Sequence, residues 1–130
     1  MMVTATQTEI TNETALSTLR QVVAERPEHV YSPPEYMRSG PDDNSCFYVH
    51  KDVDGSIVDS GCVVGVALHR LGVPLEALVK YEGLPARAVL HRIAPRLSDR
   101  TNEQFNDMQI RQDAGDAWGL AYAKATGEHI

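Results

Sequence analysis

Apolar positions along the chain fall into blocks separated by Pro, Gly and Asp. After a possible cap at Thr11 or Asn12, Ala15, Leu16, Leu19, Val22 and Val23 recur at helical spacing until Pro27, which predicts a core-facing helix. Residues 1–10 carry no such period and read as a flexible N-terminal tail, leaving 11–130 as a single globular domain. From Pro27 to Ser45, Pro33, Pro34, Gly40 and Pro41 predict a long loop with turns and extended pieces. Cys46 to Lys51 has strand composition, Val53-Asp54-Gly55 supplies a turn, and Ser56 to Val58 returns, which predicts a hairpin. Asp59 or Ser60 then caps a buried helix from Gly61 to Leu71 that Gly72 ends. Pro74 opens a helix to Glu82 and Pro85 another to Ala94. Ser98 caps a helix to Ala114, and a last helix runs from Asp116 to Ala125, anchored by Trp118 and Tyr122. The expected fold is therefore α+β and predominantly α-helical: a single compact helical domain with one short β-hairpin.

Composition narrows the class. A chain of 130 residues, 42% hydrophobic and 23% charged, fits one soluble domain with one core. Its longest apolar run, Cys62 to Leu68, is far short of the roughly 20 residues that span a bilayer, and no charged-then-apolar leader opens it. The expectation is a cytoplasmic protein with no membrane partner, in which Cys46 and Cys62 stay reduced.

Charge adds a second restriction. A formal net charge of −6 argues against wholesale binding to nucleic acid or anionic lipid. The bases are unevenly placed: between Val66 and Arg100 stand Arg70, Lys80, Arg87, Arg92, Arg96 and Arg100 against Glu76, Glu82 and Asp99, so one face could still be basic.

Three motifs carry candidate chemistry. KDVDGSIVDS resembles the opening motif of haloacid-dehalogenase-type phosphatases, which would make Asp52 the nucleophile and Asp54 the general acid. That chemistry needs a Mg2+ site and a parallel sheet, and the helical pattern after Asp59 supplies no strands for one, so an exposed Asp-Gly turn is the preferred reading. Cys46, His50, Cys62 and His69 offer a zinc-type donor set. On one helix, however, Cys62 and His69 lie nearly two turns apart, so no metal and no cofactor is expected. Residues 63–94 resemble the helix-turn-helix of phage-repressor-type DNA-binding proteins through Leu71-Gly72-Val73, Leu75, Leu78, Glu82-Gly83, Leu90 and Ile93. The face that would enter the groove has a single base, Lys80, and no Asn, Gln or Arg, which leaves phosphate contacts from Arg70, Arg87, Arg92 and Arg96.

A wider resemblance rests on Tyr48-Val49-His50, on Gly61-Cys62-x-Val64-Gly65-x-Ala67-x-His69-Arg70-Leu71-Gly72-Val73-Pro74-Leu75, and on Gln112-Asp113-Ala114-Gly115-Asp116-x-Trp118-Gly119-x-Ala121. Together these resemble small proteins of actinobacteria and their phages, mycobacteriophages in particular, a family of unknown function. The resemblance implies a small, phage-encoded protein of the host cytoplasm and no functional residue. From the residues themselves, Gly65 predicts close approach of another element to a buried helix, and Asp116 predicts a cap for the last one. Whether His50, Cys62, His69, Asp113 and Trp118 form a pocket or only support the core stays open, as does oligomeric state.

The functional expectation follows from what is missing. Without a nucleophile-base pair, phosphate loop or convincing metal set, the expected role is non-enzymatic binding of a protein or other macromolecule, with Tyr31, Tyr36 and Met37 of the long loop as the partner surface. The alternative is a DNA-binding regulator that uses residues 63–94.

Overall fold

A computed structural model describes residues 9–40 and 46–130. Helices α1 (Asn12–Glu25), α2 (Val63–Arg70), α3 (Leu75–Val79), α4 (Ala86–Ile93), α5 (Asp99–Asp113) and α6 (Trp118–Thr126) surround one core, with strands β1 (Val49–Lys51) and β2 (Ile57–Ser60) forming an antiparallel hairpin. The expected α+β, mostly helical domain is what the chain builds.

α1 starts where its cap pattern places it. The Thr11 hydroxyl accepts from the Thr14 N–H and the Thr14 side chain reciprocates, while Ala15, Leu19, Val22 and Val23 are buried. The core begins two residues before the helix: Ile10 is buried and Glu9 pairs with Arg96, so the tail does not extend to residue 10. Residues 1–8 lie outside the described ones.

α5 is the organising element. It packs against α2, α4 and α6, and its buried side includes three amides as well as Phe105 and Met108. The N-cap positions of α2 and α4 are Cys62 and Pro85, neither of which makes a side-chain cap. The missing acceptors come from α5: Gln112 Oε1 takes the Val63 N–H at 2.8 Å, Gln109 Oε1 the Ala86 N–H at 2.7 Å, and Asn106 Oδ1 the Arg87 N–H at 3.0 Å. Gln112 Oε1 also accepts from Trp118 Nε1 at 3.1 Å, so one buried amide ties α2, α5 and α6 together.

Two starts differ from expectation. Asp59 and Ser60 belong to β2, because Gly61 N–H to Tyr48 O and Cys62 N–H to Phe47 O, both 2.9 Å, extend the ladder and delay α2 to Val63. Asp116 does not cap α6. The cap position is Ala117, and the first helical N–H groups are satisfied by His29 O at 2.9 Å and Pro27 O at 2.7 Å, while Asp116 pairs with Lys124.

Gly65 meets its expectation. A Cβ there would stand 2.2 Å from Tyr48 O, so only glycine lets α2 lie directly on the backbone leading into β1. Glu82 secures the same junction: its carboxylate accepts from the Tyr48 and Val49 N–H groups at 2.8 and 3.1 Å. Burial raises the Glu82 pKa above the usual carboxylate range, and these two bonds oppose the rise.

Candidate functional site

The hairpin is where side-chain chemistry and solvent meet. Val49 pairs with Ser60, His50 with Asp59 and Lys51 with Ile57, with an irregularity after His50 that leaves Val58 outside the register. Its turn is tied locally: Asp52 N–H donates to Ser56 O at 2.7 Å, Gly55 N–H to Asp52 O at 2.9 Å, and Asp54 Oδ1 accepts from Ser56 N–H at 2.9 Å. That last bond lowers the Asp54 pKa, so the carboxylate is a turn device. No parallel sheet lies behind Asp52 and Asp54 among the described residues, and the pair occupies an exposed Asp-Gly turn.

One side of β1 is covered by the long loop. Tyr36, in a single 3-10 turn over Glu35–Met37, donates its hydroxyl to Lys51 O at 2.6 Å, and the Met37 sulfur lies 3.5 Å from the Lys51 nitrogen. Tyr31 is 4% exposed; its hydroxyl lies 2.8 Å from His50 Nε2 and accepts from the Phe47 N–H. Of the three loop residues expected to face a partner, Tyr31 is therefore a core residue and Met37 is half-buried. Tyr36 keeps 54% of its surface exposed, beside the hairpin.

Beyond Tyr36 the hairpin is apolar and acidic at once. Val53 is 77% and Val58 62% exposed, Ile57 is exposed too, and the same stretch of chain carries exposed Asp52, Asp54 and Asp59, with Lys51 at its start. Periodicity gave no warning of this, because β-branched residues suit a strand whether or not its face is covered.

A separate cleft of about 430 Å³ lies between the end of α1, the end of β2 and α2. Val22, Val66 and Trp118 line it together with Arg26, Asp59 and His69. The Trp118 ring is fixed by His29, edge-on at 4.6 Å, and by the Arg26 guanidinium 5.5 Å from its centre. Burial, and secondarily the Arg26 charge, depress the His29 pKa. The five residues left open by the sequence do not converge. His69 and Trp118 share this cleft, whereas His50 sits behind Gly61, bonded to Tyr31, and Asp113 faces a different depression with Cys46. Burial holds the His50 imidazole neutral by lowering its pKa, against a smaller opposing effect of Asp59.

The cysteines form a disulfide, which corrects the expectation that they stay reduced. Cys46 precedes β1 and Cys62 follows β2, with Cα atoms 5.4 Å apart, so the bond closes the base of the hairpin. The signal was present in the sequence: each cysteine stands eight residues from Asp54, as two partners across a hairpin centred there must. Oxidised sulfurs are not zinc ligands, and among the described residues no three His, Cys, Asp or Glu side chains gather.

The bases considered for DNA are differently engaged. Arg70 makes a bidentate pair with Glu25 at 2.7 and 2.9 Å, and Arg96 pairs with Glu9. Lys80, Arg87 and Arg92 are exposed. α3, which would be the groove-reading helix, spans five residues and packs on both hairpin strands. No helix among the described residues is long and apolar enough to cross a membrane. Comparison with protein-family models, curated proteins and solved structures gives no match.

Proposed function

We propose that the protein is a small, phage-encoded interaction or regulatory protein of the host cytoplasm that docks a basic, apolar segment of a protein partner on its hairpin and Tyr36. The observation that carries this reading is the exposure of Val53, Ile57 and Val58 on one short ribbon that also carries three aspartates. Acidic groups around an apolar patch favour a partner carrying Lys or Arg beside its own apolar contacts. The resemblance to actinobacteriophage proteins supports the setting.

The test is affinity capture from an actinobacterial lysate with the wild-type chain, with Val53→Ser/Val58→Ser, and with Leu120→Ser as a control on α6, half of each sample nuclease-treated. A protein retained by wild type and Leu120→Ser, lost by the hairpin variant and weakened by salt, is the expected result. Equal retention by the hairpin variant overturns the site. Recovery of nucleic acid, with proteins lost after nuclease, transfers the function to Arg70, Lys80, Arg87, Arg92 and Arg96 and a DNA-binding role.

A further inference from the structure

A second depression, about 330 Å³, lies between the turn joining α3 to α4 and the side of α5. Leu84, Pro85, Gln109, Ile110 and Asp113 line it, and it opens onto Cys46. The two cysteines of the disulfide are unequally placed: Cys46, 8% exposed, is among the residues that line this opening, whereas Cys62 is fully enclosed at the start of α2. Ile110 and Leu84, both exposed, give the depression an apolar rim, and Asp113 adds a carboxylate that disfavours thiols carrying a carboxylate or phosphate of their own.

Cys62 is the N-cap residue of α2, an eight-residue helix with no side-chain cap while the disulfide is intact. A thiolate released there meets the positive end of the helix, where the Val63 N–H is already bonded to Gln112 and the Val64 and Gly65 N–H groups are the ones an N-cap atom normally receives. An asymmetric disulfide of this kind has a preferred direction of opening: attack at the reachable sulfur, departure of the sulfur whose thiolate is stabilised.

From this geometry we infer that Cys46–Cys62 is an exchangeable redox site, opened by a small uncharged thiol that enters beside Ile110 and attacks Cys46, with Cys62 as the leaving thiolate. In the first step the entering thiolate forms a bond to Cys46 Sγ, the Cys46–Cys62 bond breaks, and its electron pair remains on Cys62 Sγ. A second molecule of the same thiol attacks the sulfur of the first, releasing the oxidised dithio product and a Cys46 thiolate. Two thiols are thereby oxidised and one protein disulfide is reduced, with both protein thiolates taking up the protons the thiols lost. Opening leaves the base of the hairpin held by the Gly61 and Cys62 backbone bonds. The site is independent of what the hairpin docks.

The experiment treats the oxidised, full-length chain with 2-mercaptoethanol at neutral pH without denaturant, followed by an acid quench, maleimide labelling and peptide mass mapping. Mercaptoethanol on Cys46 and maleimide on Cys62 are the expected pattern. An adduct confined to Cys62, or no reaction until denaturant is added, overturns the proposal. Ile110→Trp, which narrows the mouth from an exposed position, is expected to slow the reaction severalfold with an unchanged circular dichroism spectrum. An unchanged rate would mean that the bond opens by unfolding and not through the depression. In Cys46→Ser, the ultraviolet absorbance of the Cys62 thiolate is expected to reach half its maximum below the ordinary thiol pKa of about 8.5, and a midpoint at or above that value contradicts the assigned leaving group.

Discussion

β-Branched residues are used in opposite ways in α2 and in the hairpin. In α2, Val63 and Val64 are fully buried, and the backbone start of the helix is completed by Gln112 from α5. In the hairpin, Val53 and Val58 keep most of their surface in solvent and Ile57 keeps 39% of its own, although α3 packs on both strands. The first region shows what the chain does when burial is the purpose: apolar groups are enclosed and backbone polar groups find partners, with amides such as Gln109 and Asn106 recruited across elements. A two-stranded ribbon gains little from β-propensity alone, so strand stability does not account for three exposed apolar groups gathered on one ribbon.

The contrast can be broken from the helical side first. Gly65→Ala places a methyl against the Tyr48 backbone, which cannot yield without moving β1, and is expected to cost more than about 3 kcal/mol or prevent folding. Denaturant titration against wild type measures it. Replacing both cysteines by alanine removes a loop closure over 16 residues and is expected to lower stability by about 3 kcal/mol relative to the oxidised protein. Gln112→Ala strands the Val63 N–H and the Trp118 indole N–H and should cost about 2 kcal/mol, read as a shift in the urea midpoint with little change in slope.

Acid provides a gentler probe of the junction between the regions. The folded state holds His50 neutral by burial, so its pKa lies below the ordinary value of 6.5. As pH falls through 6.5 the unfolded imidazole takes up a proton that the folded one resists, and stability is lost on the acid side. His29 acts in the same direction. Thermal melts between about pH 7 and pH 5 are expected to show a smaller loss for His50→Gln than for wild type, since the amide can keep a hydrogen bond with the Tyr31 hydroxyl and does not titrate. An identical loss would place the acid sensitivity elsewhere.

Most of the helical body was legible in the sequence because its signals are local. Capping at Thr11 and Ser98, the Pro74 and Pro85 starts and the Ala15-to-Val23 stripe all act within a few residues. Gly65 was legible as a close approach, though not what approached. What local pattern could not give was the satisfaction of groups across long sequence separations. Gln112 reaches Val63, Glu82 reaches Tyr48, and the carbonyls of Pro27 and His29 cap α6, where Asp116 looked the better cap from its type and position. The site was less legible for a related reason. Tyr31 and Tyr36 are the same residue type five positions apart in one loop, and the first turns inward to partners distant in sequence, His50 and the Phe47 N–H. The disulfide needed the hairpin symmetry to be applied to its flanking cysteines.

The smallest effect on stability belongs to the substitution that matters most for function. Val53→Ser/Val58→Ser removes exposed apolar groups only and is expected to change the free energy of unfolding by less than about 0.5 kcal/mol. The decisive measurement is the thermal melt of this variant beside its capture of the wild-type partner, nuclease-treated. An unchanged melting temperature with capture abolished is the expected result; capture retained at wild-type level on a folded variant would contradict the hairpin as the docking surface.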